Sequence, residues 1–238
     1  MNQRRDEIIA ATLEQLSTTP ANQLSIDDIA EAAGASRALI YHYFRNKEQL
    51  YVAAVRSGCA DLKSRLTLPD VHPFEQLRWA AQAYLDFAEE RSAVFVGVLR
   101  GAGSAGQPDE LASIIEDVRL FIVDLITTSL GIREPSPVLR ATLRGWVAMI
   151  EMISLDWLDK RTLSRKQVRR LLVNHLGAVL AAAAADDPVL ADRLAELVAT
   201  ADPRTLSPWV ASVRGAASAA SRLRRVADSL RHATSPLR

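Results

Sequence analysis

Four side chains able to hydrogen-bond or stack, Arg37, Tyr41, His42 and Tyr43, crowd seven residues of the stretch from Leu24 to Lys47, LSIDDIAEAAGASRALIYHYFRNK. A solvated helix face ordinarily carries Glu, Lys and Gln. Two tyrosines, a histidine and an arginine suit a different task. They can hydrogen-bond phosphate oxygens and base edges, and the rings can lie against thymine methyls. The chemistry this pattern offers is reading of a DNA duplex.

Bond-making chemistry has no comparable support. The histidines, His42, His72, His175 and His232, lie far apart, and none has a partner at metal-ligand spacing. His175, beside Asn174 on a helical stretch, reads as a core or interface residue. There is no G-x-S-x-G and no P-loop. Gly101, Gly103 and Gly106 do spell G-x-G-x-x-G after SAVFVGVLR, a run that could pass for a strand. A dinucleotide fold needs repeated βαβ units, and no second or third strand can be found. The glycines read as an interhelix loop. No enzyme activity, cofactor or metal is expected.

The elements that must hold Arg37 to Tyr43 can be read from their neighbours. Ser25 is a good N-cap, with Asp28 three residues on to answer it. Ile26, Ile29, Ala30 and Ala33 fall on one helical face. Gly34 suits the positive φ of a tight turn, and Ser36 can cap the next helix. That helix, Arg37 to Tyr43, buries Leu39, Ile40 and the following Phe44, which makes it the recognition helix of a helix-turn-helix. A preceding helix, Gln3 to Ser17, buries Ile8, Ile9, Thr12, Leu13 and Leu16. A following one opens at Asn46-Lys47 and runs to about Leu66. Further amphipathic helices are predicted over 73–91, 92–100, 109–130, 137–160 and 164–185, with a short one within 186–200.

Residues 5–50 resemble the DNA-binding region of TetR-family transcriptional regulators. The matching pieces are RDEIIAATLEQL, then SIDDIAEAAGAS, then LIYHYFRNKEQL, the last being the most specific. The resemblance implies that Ser25, Tyr41 and Lys47 hold the phosphate backbone. It implies that Arg37, Ala38 and Tyr43 approach base edges, with Ser36 and His42 at the margin. Two departures are present: Thr19-Pro20-Ala21 stands where the family usually has a glycine and an aromatic, and Ala38 stands where glycine is common. The family places an effector pocket among its central helices. Candidates here are Trp79, Tyr84, Phe87, Phe95, Phe121, Trp146, Met149, Met152 and Trp157, since Trp and Met suit an adaptable apolar cavity. Arg119, Asp124, Arg144 and Glu151 are candidate polar anchors. The two long helices at about 137–160 and 164–185 correspond to those the family uses to pair subunits, with Ala141, Ala148, Leu172, Leu176, Val179 and the Ala181 to Ala185 run available for close packing.

Composition sets the outer bounds. At 238 residues with 49% hydrophobic side chains, the chain can bury a sizeable core. The single cysteine, Cys59, excludes an internal disulfide and fits a cytoplasmic protein. No signal peptide or membrane span is expected. Whole-domain charge does not argue for DNA binding, because residues 1–56 carry six basic groups against seven acidic ones. Residues 203–238, by contrast, carry seven arginines against Asp228 alone. The expectation is therefore an all-α protein. A three-helix helix-turn-helix DNA-binding domain occupies 1–46, a helical effector-binding and dimerisation bundle 47–200, and a basic helical C-terminal extension 201–238. Its function would be that of a ligand-responsive regulator, a repressor binding a palindromic double-stranded operator as a homodimer and released by a small apolar or amphipathic effector. The competing reading is a helical small-molecule-binding protein with vestigial DNA binding.

Overall fold

The computed structural model describes residues 2–101 and 109–205. The loop glycines Gly103 and Gly106 and the basic extension from 206 onward lie outside the described residues. Among those described, every regular element is a helix and there is no strand, so the all-α expectation holds. In chain order they are α1 (Asn2–Thr18), α2 (Ile26–Ala32), α3 (Arg37–Tyr43), α4 (Lys47–Arg65), α5 (Pro73–Glu90), α6 (Ser92–Gly101), α7 (Asp109–Ser129), α8 (Pro137–Lys160), α9 (Arg165–Ala183) and α10 (Pro188–Thr200).

Local chemistry explains where these helices begin. Ser25 Oγ accepts from the Asp28 amide at 3.1 Å while Asp28 Oδ2 accepts from the Ser25 amide at 2.8 Å, a reciprocal capping box. Ser36, Asn46 and Ser136 cap α3, α4 and α8 in the same one-sided way. Ser164 and Gln167 repeat the capping box at α9. Gly34 sits at φ +55, which turns the chain between α2 and α3. Arg4 of α1 donates to the Gly34 carbonyl and so ties that turn back to the first helix.

Two apolar clusters form the core. The first is built by the end of α4 with α5, α7, α8, α9 and α10, and includes Leu62, Leu85, Ile126, Leu139, Leu143, Leu172 and Leu180. The second joins Ile8, Leu16, Ile29, Ile40 and Leu50 of α1–α4 to Val94 and Val98 of α6 and Leu111, Ile114 and Ile115 of α7. Packing is therefore continuous across residue 46, because α1 lies against both α4 and α6. At about 1.5–3 kcal/mol for each aliphatic side chain buried, this shared cluster holds the three short helices in place. It also makes α6 and α7 part of their foundation. Arg91, at the α5–α6 junction, adds a polar tie: Nη1 donates to Glu14 Oε2 at 2.6 Å and to Ser17 Oγ at 2.9 Å, both on α1.

Candidate functional site

Helix α3 is seven residues long and is presented on one side only. Ile40 and Phe44 are buried beneath it, Leu39 is half-buried, and Arg37, Ala38, Tyr41 and His42 are exposed, with Tyr43 half-buried at the edge. The hydrophobic anchors and the Ser36 cap fix the helix axis, so the exposed residues project from a rigid mount. Tyr41 is 42% exposed, an unusual condition for a large ring and one that suits an apolar contact outside the protomer. Its ring lies under the Arg37 guanidinium, 5.6 Å from the guanidinium carbon. Tyr41 and Asp27 together hold the Arg37 charge above its ordinary range, so that it stays fully protonated. His42 packs edge-on against Tyr43, with ring centroids 5.2 Å apart.

The structure separates residues free to meet a ligand from those already engaged. The Ser25 hydroxyl donates to Asp28 Oδ2 at 2.6 Å and accepts from the Asp28 amide. The Ser25 hydroxyl and, after it, the Ser25 amide, both donating to Asp28 Oδ2, hold the Asp28 carboxyl below the usual carboxylate range. Lys47 Nζ spends one of its three donors on the Ala21 carbonyl at 2.7 Å, closing the α1–α2 loop, and keeps two. Asp27, which no sequence pattern singles out, binds Arg37 through both carboxylate oxygens. The signal was a carboxylate in the first turn of α2, ten residues upstream, visible only once the two helices are folded together.

A second feature lies inside the bundle. A cavity of about 70 Å³ is walled by Leu13 of α1, by Val55, Gly58, Cys59 and Leu62 of α4, and by residues of α5–α8. A smaller one of about 40 Å³ sits among α5, α7, α8 and α9, and Tyr84, Ile122 and Ile150 line both. Of the aromatic and methionine candidates, Tyr84, Phe87 and Phe95 line the larger cavity, and Tyr84 and Trp146 the smaller. The remaining five line neither. Trp79 is 40% exposed and Met152 is 65% exposed. Trp157 is buried with its indole N–H bonded to the Leu163 carbonyl at 3.0 Å, Phe121 lies beneath the Lys63 ammonium, and Met149 packs on the bundle core. Aliphatic residues do most of the lining, and selecting by aromatic character passed over Leu13, Val94, Val98 and Ile115. The VFVGVL run of α6 was their one visible trace.

The charged groups nearby are largely neutralised in pairs. Glu151 lines the larger cavity, and Arg119 binds it through Nε at 2.9 Å and Nη2 at 2.8 Å. Arg144 is exposed and paired with Glu116, and Asp124 is exposed. Among the described residues no His, Cys, Asp or Glu cluster could hold a metal ion. No described helix is long and apolar enough to cross a membrane.

On the outer face of the bundle, Val138, Ala141, Gly145, Ala148 and Met152 of α8 are exposed at helical spacing, and Ala181 and Ala182 at the end of α9 and Ala185 just after it are exposed too. Leu172 and Leu176 do not join this face. Both are buried in the apolar core against α5 and α8, where Trp146 also donates to the Leu172 carbonyl at 3.3 Å.

With this geometry in view, comparison with known proteins is informative. Residues 8–54 match the family model for bacterial regulatory proteins of the tetR family, and residues 73–179 that for the tetracyclin repressor-like C-terminal domain. The chain is 37% identical over 95 residues to the HTH-type transcriptional regulator BetI of Pectobacterium carotovorum subsp. carotovorum, a match covering 38% of this chain and 49% of that protein. The chain thus spans about half the length of that relative. A BetI from Stenotrophomonas maltophilia is 29% identical over 189 residues, 76% of this chain and 95% of that one. Among solved structures, a tetR-family transcriptional regulator from Streptomyces coelicolor superposes with a TM-score of 0.79 at 32% identity, over 85% of this chain and 91% of that chain. A TetR transcriptional regulator from Rhodococcus sp. RHA1, 16% identical with a TM-score of 0.57, shares the fold over 76% of this chain and 96% of that chain.

Proposed function

Because this chain belongs to the TetR family of bacterial regulators, we propose that it is a ligand-responsive repressor that binds a palindromic operator as a homodimer and is released by a small apolar or amphipathic effector. Family membership makes it a DNA-binding transcriptional regulator and not an enzyme. The observation that carries the finer reading is the outward face of α3, where Arg37, Ala38, Tyr41 and His42 stand exposed on a buried anchor of Ile40 and Phe44. In this reading Tyr41, Lys47 and Ser25 meet phosphates. Arg37, Ala38 and Tyr43 approach base edges, and Ser36 and His42 stand at the margin. Ser25 reaches a phosphate only if Asp28 gives up its hydroxyl proton, which makes it the weakest of the three. The protein would work in the bacterial cytoplasm, with residues 1–46 reading DNA and 47–200 pairing subunits and binding effector.

One seven-residue helix touches few base pairs, so pairing two subunits doubles the readout on a symmetric site. The exposed small and apolar residues of α8 and α9 support pairing through that face, since Ala and Gly let two helices approach closely. Effector control requires only that the ligand bind one conformation better than the other. The larger cavity supports this reading because its walls include α1 and α4, which share an apolar cluster with Ile40 of α3.

The test is fluorescence anisotropy of the purified protein with DNA from upstream of its own gene, and with DNA selected from a random pool, at two salt concentrations. Saturable, competitor-resistant binding with two subunits per site is the expected result. Binding no tighter than to random DNA in both cases would overturn the regulator mechanism proposed.

A further inference from the structure

Net charge gives the DNA-reading unit no attraction for a polyanion, so the engagement of each cation decides what it can offer one. Residues 1–56 carry six. Arg4 is bonded to Glu7 at 2.7 Å and to the Gly34 carbonyl, and Arg56 to Glu110 at 2.6 Å. Arg37 is held by Asp27, and Lys47 has given one donor to the Ala21 carbonyl. Arg5 lies over the Phe44 ring, 5.1 Å from its centroid, with an Asp6 carboxylate oxygen 3.9 Å away. Arg45 is the sixth. It is exposed, and among the described residues its side chain has no hydrogen bond, ion pair or ring contact, even with Glu48 three residues on.

The backbone aims this side chain. Phe44 is buried beneath α3, and its backbone is extended at φ −132 and ψ 123. Successive side chains on extended backbone point opposite ways, so Arg45 leaves the core on the outward side, as Tyr41 and His42 do from α3. Its stem is anchored. The Arg45 amide donates to Gln49 Oε1 at 3.1 Å, and the Gln49 amide donates to Asn46 Oδ1 at 2.8 Å. A fixed stem with an uncommitted guanidinium suits a phosphate, which asks for charge and donors but no base-reading register. The position matters as well. A recognition helix meets the DNA backbone at its C-terminal end. That end carries the partial negative charge of unpaired carbonyls, which repels a phosphate. Arg45, two residues past Tyr43, sets a full positive charge there.

We propose that Arg45 is a phosphate-binding residue, adding one backbone contact per subunit where the last turn of α3 ends. The inference rests on the DNA-binding reading above and deepens it. It gives Arg45 a share in affinity at every sequence and none in the choice of base, the reverse of the part taken by the clamped Arg37.

The experiment is fluorescence anisotropy of the full chain with a random-sequence duplex and with the site selected from a random pool, over a tenfold range of salt. Arg45→Ala should bind both DNAs more weakly by the same factor, with base preference and thermal midpoint unchanged. The slope of log affinity against log salt should shrink by about 0.9 for each subunit bound. A tenfold rise in salt then weakens the parent about eightfold more per bound subunit than it weakens the variant. Arg45→Lys should keep the slope. Arg56→Ala removes the same charge from a residue already paired with Glu110, and should leave the slope as it is. An unchanged slope in Arg45→Ala, or an equal fall in Arg56→Ala, would overturn the contact while leaving the regulator reading in place. A parent that binds neither duplex would overturn both, so the parent alone tells the two failures apart.

Discussion

Arg37, the first residue of α3, donates through Nη1 to both carboxylate oxygens of Asp27 on α2, at 2.9 and 3.2 Å. The two side chains are 59% and 68% exposed, so the pair adds little to stability. Its consequence is orientation. With Nη1 held by Asp27 and the guanidinium face resting on Tyr41, the remaining donors of Arg37 point from a fixed position. A guanidinium fixed in this way can discriminate a guanine edge, whereas a free one settles for the nearest phosphate.

Removing the carboxylate should therefore move affinity and specificity in opposite directions. Asp27→Ala is expected to tighten binding to random DNA and to steepen its salt dependence by about one phosphate equivalent. It should lose on the order of 1–3 kcal/mol of discrimination at the base pair read by Arg37. Arg37→Ala should lose the same discrimination with weaker binding throughout. Anisotropy titrations of both variants and the double variant over a salt series check this. Equal specificity in Asp27→Ala and the parent would show that Arg37 needs no clamp.

The turn that sets α3 against α2 depends on one backbone conformation. Gly34 has φ +55, and a Cβ built there meets nothing within 4 Å, so a side chain is opposed by backbone strain alone. Gly34→Ala should destabilise the protein by about 1–2 kcal/mol, and Gly34→Asn by less, because asparagine tolerates the left-handed region. Urea unfolding followed by circular dichroism measures both. Equal losses in the two variants would indicate crowding in place of strain.

Cys59 reports on the larger cavity, which it lines, through its acidity. Burial pushes its thiol from 9.0 up to about 11. Below pH 9 its thiolate fraction is then roughly a hundredfold lower than that of an ordinary thiol at 9.0, and alkylation should be slow in proportion. The rate should keep rising with pH up to about 11. The folded state holds this proton longer than the unfolded chain does, so the associated stability is complete below pH 9 and is lost as pH climbs toward 11. Iodoacetamide kinetics across that range, with the unfolded protein as reference, check the shift.

Subunit pairing through α8 and α9 can be tested at one exposed side chain. Met152 is 65% exposed, the most open of the large apolar residues on α8. Met152→Glu should yield monomers by light scattering, with helicity intact and operator binding weakened. A dimer that survives the substitution would place the pairing face elsewhere.

How much was legible in the sequence follows from the distance over which each feature is decided. The bounds of α3 could be read directly, because Gly34, the Ser36 cap and the break at Phe44 all fall in one short stretch and each acts on its near neighbours in the chain. The same holds for α8, which begins at the Ser136–Pro137 start signal. The exposed aromatic face of α3 was also visible, since such residue types on so short a helix have few other uses. The cavity was not. Trp79 and Tyr84 are five residues apart on α5, both aromatic, yet one faces solvent and the other divides two cavities. Periodicity says that they lie on different faces, and only the packing of α5 against α7, α8 and α9 decides which face is inside. Asp27 with Arg37, and Arg91 with Glu14 and Ser17, meet across 10, 77 and 74 residues of sequence. Sequence by itself determined helix limits, caps and the exposed polar and aromatic face of α3, which rest on contacts between near neighbours. Tertiary structure decided the two cavities, the clamp on Arg37 and the tie from Arg91 to α1, because each depends on which helices the apolar clusters draw together.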